Sequence, residues 1–224
     1  KSDTHVSALG LRRIPYIWKG TLCQFGGFAI MPFALLVLSG YGEAYDAPRW
    51  IGLSAAALSF LLVGAGVHIV QTVGLALATN LVKEEDQPKV VGLMYVMLLL
   101  GMMVSALIYG ALLEHYTPGR LVQIIQGTAV ITVALNLCAM WKQEARNRER
   151  AQEMKVAKPL PFKVAFTNLA QTEGMIRLLI VICLGTFGFG MADVLLEPYG
   201  GQALGLSVAS TTKLTALFAG GTLI

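Results

Sequence analysis

Apolar residues in this chain fall into long unbroken runs, and the charged residues collect in the connections between them. A membrane-spanning helix needs about 20 apolar residues, because the hydrocarbon core is about 30 Å thick and a helix rises about 1.5 Å per residue. Five stretches reach that length, at about residues 18–38, 51–81, 90–113, 121–141 and 178–196, and a sixth apolar run begins near Ser207 and continues to the last residue. Backbone in lipid has to satisfy its own hydrogen bonds, and the alternating pattern of a membrane barrel is missing, so helix is the structure these runs support. The pattern predicts an all-α integral membrane protein with about six transmembrane helices.

The connections carry the orientation. Four Lys and Arg precede or open the first run (Lys1, Arg12, Arg13, Lys19), and one follows it (Arg49). Two come next (Lys83, Lys89), then one (Arg120), then eight between residues 142 and 177, then none before the sixth run. Basic residues favour the cytoplasmic side, so this alternation places the N-terminal end in the cytoplasm and the 142–177 connection on the same side. That connection divides the chain into a four-helix part (1–141), a cytoplasmic segment (142–177) and a two-helix part (178–224). Within it Pro159 and Pro161 break a charged, helix-compatible stretch, after which Phe162, Phe166 and Leu169 recur at i, i+4 and i+7. Two readings fit that spacing: a short amphipathic helix on the cytoplasmic membrane face, or a loop with three apolar residues.

Composition agrees with a lipid solvent: 55% of the 224 residues are hydrophobic and 13% charged, with a mean hydropathy of +0.65. The net charge of +4 would suggest nucleic acid in a soluble protein. Here it follows from the basic connections, so nucleic acid is not an expected partner. Cys23, Cys138 and Cys183 lie in three different runs without metal-ligand spacing and are expected to be small buried apolar residues. Both ends look cut, as in a portion of a longer protein.

Three segments carry a family resemblance: KSDTHVSALGLRRIPYIW (1–18) running into QFGGFAIMPFAL (24–35), TPGRLVQIIQG (117–127) and DVLLEPYGG (193–201). Together they resemble the PucC/LhaA family of light-harvesting complex assembly proteins, the bacteriochlorophyll delivery branch of the major facilitator superfamily. The resemblance implies part of a twelve-helix facilitator bundle, with the runs here as the third to eighth helices and a long cytoplasmic loop between two halves. It implies a multi-pass protein of the bacterial inner, intracytoplasmic photosynthetic membrane. Bacteriochlorophyll is the implied cofactor or cargo, and light-harvesting antenna polypeptides or the reaction-centre core complex are the implied partners besides lipid. The superfamily's cytoplasmic motif is matched in part by Asp3, Gly10, Leu11, Arg12 and Arg13. The distance from Asp3 to Gly10 exceeds the usual transporter spacing, which weakens the alternative of a small-molecule secondary transporter.

Few residues are candidates for chemistry. His68 sits near the middle of the second run, with Gln71, Thr72, Leu75 and Thr79 on its helical face. Polar groups at that depth face protein or a cavity. On the resemblance, His68 and Gln71 are candidate pigment-binding residues, the imidazole donating a lone pair to the magnesium. An interhelical hydrogen bond is the structural alternative. Asp193 and Glu197 share a face near the outer end of the fifth helix, and Lys213 lies about 9 Å into the sixth. These three are expected to form a partly buried ion pair or triad, either structural or serving proton coupling or partner binding. Gly101, Ser105 and Gly110, and likewise Gly185, Gly188 and Gly190, are expected to allow close helix packing, and Pro32 to kink the first helix. The charged segment 83–89 reads as a solvated cytoplasmic turn, which in facilitators can bear gating ion pairs. His5 and His115 fall in connections without metal partners, and no phosphate loop, paired acid and base or nucleophile elbow is present, so no enzyme is expected.

Overall fold

The computed structural model describes residues 11, 13–40, 47–143 and 161–223, with the side chain of Phe162 excepted. The helices are α1 (Ile14–Ser39), α2 (Arg49–Asn80), α3 (Gln87–Leu112), α4 (Pro118–Met140), α5 (Phe162–Gln171), α6 (Met175–Gln202) and α7 (Val208–Gly221). A 3-10 turn, Glu84–Asp86, separates α2 from α3. No strand occurs among the described residues. α1, α2, the stretch Glu84–Leu112, α4 and α6 are each long and apolar enough to cross a membrane. α7 has 14 described helical residues and packs along α3 as a sixth rod.

Local chemistry explains the boundaries. Prolines in the first turn open α1, α3 and α4, where the missing N–H costs nothing. Thr117 caps α4 by accepting from the Arg120 backbone N–H at 3.1 Å, and Ser207 caps α7 in the same way from Ser210 at 3.3 Å. α1 begins one turn earlier than its hydropathy suggests and continues through Pro32. α6 runs past residue 196, through Pro198, to Gln202. Hydropathy falls at Glu197, but helix remains the way to satisfy backbone at a membrane edge.

The tightest packing joins α1 to α2. Small residues recur every seven positions on both helices: Gly20, Gly27 and Ala34 on α1, and Gly52, Ser59 and Gly66, then Val73, on α2. All of these are buried. A repeat of seven keeps one seam facing a partner at a small left-handed crossing. The approach is backbone to backbone. A Cβ on Gly66 would lie 2.6 Å from the Gly20 carbonyl oxygen, and one on Gly27 would lie 2.8 Å from that of Ser59. The Ser59 hydroxyl, fully buried at 0% exposure, donates to the Gly27 carbonyl at 2.9 Å. Lipid tails supply no hydrophobic drive between helices, so small side chains and such hydrogen bonds hold the pair.

α4 packs on α1, and α7 on α3. Ile17, Val73 and Met140 form a cluster at one end of the bundle. Gly110 of α3 meets Ala209 and Lys213 of α7 near the other end. Neighbouring helices are therefore antiparallel, and the N-terminus of α1, the C-termini of α2 and α4 and the start of α3 share one side of the bundle, the side that the Lys and Arg alternation predicts to be cytoplasmic. Trp18 and Trp141 are exposed near that side, and Trp50 and Tyr116 near the opposite one, as interfacial anchors would be. The contact of α3 with α7 ties the part after residue 177 to the part before residue 142.

Several expected close contacts are absent. Gly101, Gly185, Gly188 and Gly190 have open space around them among the described residues, and Gly110 alone of that set is tightly packed. α6 presents nearly all its apolar surface outward. Cys138 and Cys183 are exposed on α4 and α6, and Cys23 is half-buried. In a bilayer an outward apolar side chain is still in an apolar solvent.

The seam yields a direct test. Gly66→Ala forces a methyl into the α1 backbone and should lower stability by about 1–3 kcal/mol. Gly74→Ala, next to Val73 but rotated about 100° off the seam with nothing within 4 Å, should be close to neutral. Thermal or denaturant unfolding in detergent reads both, and equal effects would contradict the seam.

Candidate functional site

Polar side chains within the membrane-crossing helices fall into three groups. The first lies between α1 and α4. Thr21, at 0% exposure, donates to the Ile17 carbonyl at 2.9 Å. Its hydroxyl accepts from the Asn136 side-chain N–H at 3.0 Å, and the Gln24 side-chain oxygen Oε1 accepts from the same nitrogen at 3.5 Å. Gln24 is also buried. These groups pay for their desolvation by bonding one another. Of the three, only Gln24 falls in a quoted motif, and Asn136 is one of several polar residues in its run, with Gln123, Gln126, Thr128 and Thr132.

The second group lies at the end of the bundle where α1 begins and α2 ends. Arg13 is buried beside the start of α1. With the Asn80 amide turned so that its oxygen faces the guanidinium, that oxygen accepts from both terminal nitrogens at 3.0 Å. Arg13 thus sits at the C-terminal end of α2, where a cation meets the negative end of the helix dipole. Lys19 lies 5.2 Å from the centre of the Tyr16 ring. Of the other members of the sequence motif, Asp3, Gly10 and Arg12 lie outside the described residues. The turn between α2 and α3 is exposed, and Lys89 pairs there with Asp86 at 2.9 Å.

The third group is exposed. His68 and Gln71 are on the surface of α2 with Thr72 beside them, and among the described residues nothing hydrogen-bonds to His68 or Gln71. By helical geometry His68 is about 150° around α2 from the seam residues Gly66 and Val73, so it points away from α1. It lies about 28 Å along α2 from Arg49 and about 18 Å from Asn80, which places it near the middle of the span. The interhelical hydrogen bond expected of His68 is not made among the described residues.

The expected charge cluster does not assemble. Asp193, Glu197 and Lys213 are all exposed, and no ion pair joins them. Instead the Thr215 hydroxyl donates to Glu197 Oε1 at 2.8 Å. The stem of Lys213 lies over α3, its Cγ 3.0 Å from where a Cβ on Gly110 would stand. The reason is rotational. Residues 213 and 215 are 200° apart on a helix, so when Thr215 faces α6, Lys213 faces α3. Antiparallel packing brought the residues to a similar depth but not to one face. No group of three His, Cys, Asp or Glu residues able to hold a metal occurs among the described residues, and His115 lies in the turn between α3 and α4.

Five helices long and apolar enough to cross a membrane, with their apolar surface turned outward, define a multi-pass α-helical membrane protein. The PUCC protein family model matches residues 1–224, and the chain belongs to that family. It is 76% identical over 223 residues to protein PucC of Rhodobacter capsulatus, covering 100% of this chain and 48% of that protein. It is 63% identical over 225 residues to protein PucC of Rhodovulum sulfidophilum, covering 100% and 50%. A more distant relative is the bacteriochlorophyll synthase 44.5 kDa chain of Rhodobacter capsulatus, 24% identical over 199 residues, covering 87% of this chain and 46% of that one. The chain spans about half the length of the curated relatives it matches. No solved structure matches it.

The contact between α1 and α4 can be measured. Asn136→Leu and Thr21→Ala should each destabilise, and a double-mutant cycle should give a coupling of about 0.6–1.7 kcal/mol. Purely additive effects would place the two residues apart.

Proposed function

We propose that the chain is part of an assembly factor for bacterial photosynthetic light-harvesting complexes, working in the intracytoplasmic inner membrane and catalysing no reaction. In this reading it holds or delivers bacteriochlorophyll, nascent antenna polypeptides or both, as part of a facilitator-type bundle. Membership of the PucC family supports the setting, and the distant likeness to a bacteriochlorophyll synthase chain supports a pigment.

The observation that carries the reading is the exposed polar face of α2. An imidazole and a carboxamide one turn apart, His68 and Gln71, stand on the side of α2 away from its packing seam, at membrane depth. Polar groups there need a partner. The donor set suits a magnesium macrocycle: the His68 imidazole could give a lone pair to the magnesium, and the Gln71 carboxamide N–H could bond a ring carbonyl. Bound pigment would bring the magnesium, and the chain's part is to orient the macrocycle and keep it dry against apolar helix surface.

A second reading, a small-molecule secondary transporter, draws on a different observation. The buried Thr21–Gln24–Asn136 cluster puts hydrogen-bonding groups inside the bundle, where transporters bind polar substrates. Here those groups bond one another, which favours the assembly reading.

Gentle detergent purification followed by an absorption spectrum separates the two. Bacteriochlorophyll and small antenna polypeptides should co-purify, and His68→Leu should lose most of the pigment. A preparation holding neither pigment nor antenna polypeptide would reject the assembly reading, and a His68→Leu variant with the full pigment complement would reject His68 as the ligand.

A further inference from the structure

The segment between α4 and α6 carries a feature that the pigment reading leaves unused. α5 (Phe162–Gln171) packs against α6, and none of its described side chains is buried. Ala165, Phe166 and Leu169 fall within about 100° of arc, while Lys163, Thr167 and Gln171 run at i, i+4 and i+8 along another side. Val164 departs from this division and lies among the polar residues. Phe166 is 47% exposed and Leu169 42%. A helix divided in this way lies along an interface between water and an apolar phase.

Two observations say what that phase is. Residues 172–174 alone separate α5 from α6, and Gly174 at φ +76° turns the chain between them. Three residues span at most about 10 Å, and α6 crosses the membrane, so the end of α5 is held at the bilayer surface. The second observation is charge. Residues 142–177 hold eight Lys and Arg against four Glu, a net charge of +4. Two of the basic side chains, Lys163 on α5 and Arg177 in the first turn of α6, are exposed next to the apolar stripe.

We infer that α5 docks in the headgroup layer of an anionic leaflet, with Ala165, Phe166 and Leu169 at the acyl boundary and Lys163 and Arg177 on acidic phospholipid headgroups. The connection between the two helical parts is then a surface helix pinned by lipid charge. Each basic residue near such a surface should strengthen docking about fivefold at low salt, and less as salt screens it.

The test uses the full chain in vesicles of phosphatidylcholine alone and in vesicles with equal parts of phosphatidylglycerol. In a background with Cys23, Cys138 and Cys183 changed to Ala, nitroxide labels at Leu169→Cys and Asn168→Cys are probed with oxygen and with a water-soluble nickel chelate. In phosphatidylglycerol the label at 169 should sit in lipid and that at 168 in water. Lys163→Gln with Arg177→Gln, or pure phosphatidylcholine, should release the helix by about fivefold per charge removed. Hydrogen exchange over 163–171 in the unaltered chain gives a second readout, slower with phosphatidylglycerol than without. Equal aqueous access at 168 and 169 in phosphatidylglycerol would overturn the proposal. So would shielding of 169 that is the same in both lipids and unchanged by loss of the two charges, which would mean a protein surface covers the stripe.

Discussion

The contact of α1 with α2 is the one on which the arrangement rests. Two apolar helices gain nothing from hiding apolar surface when the solvent is lipid, so they associate where their backbones can come close enough for dispersion and carbonyl hydrogen bonds to count. Gly20, Gly27, Gly52, Ser59 and Gly66 provide that approach. The seam also sets the direction of everything else on α2. With Gly66 against α1, His68 has to face away, and the exposed polar face follows from the seam's geometry.

The remaining helices attach by the same means, with fewer small residues. α4 joins α1 through Ala129 and the Asn136 hydrogen bonds, and α7 joins α3 through Gly110 and Ala209. A polar bond at a packed position fixes register as well as adding energy, as a buried Asn does in a coiled coil. Asn136 reaches Thr21 and Gln24 at one depth only, so α4 cannot slide along α1 without losing both bonds. Arg13 on Asn80 joins the start of α1 to the end of α2 in the same manner.

The helices and their order were legible from run length. The segment after Pro161 allowed a helix or a loop, and it is a helix. Which helices touch was not. A span that is apolar on every side has no face that names its partner, so hydropathy treats Gly66, packed on α1, like Gly74, which packs on nothing. The sevenfold repeat of small residues was present in the sequence, but Gly and Ala are apolar and do not stand out, whereas the glycines that drew attention on α3 and α6 mostly face open space. The charge cluster failed for a similar reason: depth can be counted along a helix, but the rotation that sends Lys213 to α3 depends on which residue meets α6.

The account's central claim is that these rods cross a bilayer with their basic connections together on one side. Single cysteines at Glu85→Cys and Gln143→Cys, and at Tyr116→Cys and Leu204→Cys, test it in the cysteine-free background with a membrane-impermeant maleimide on sealed, right-side-out membranes. Positions 116 and 204 should react from outside, and 85 and 143 only after the membranes are opened. Outside labelling of 143 together with 116 would contradict the arrangement.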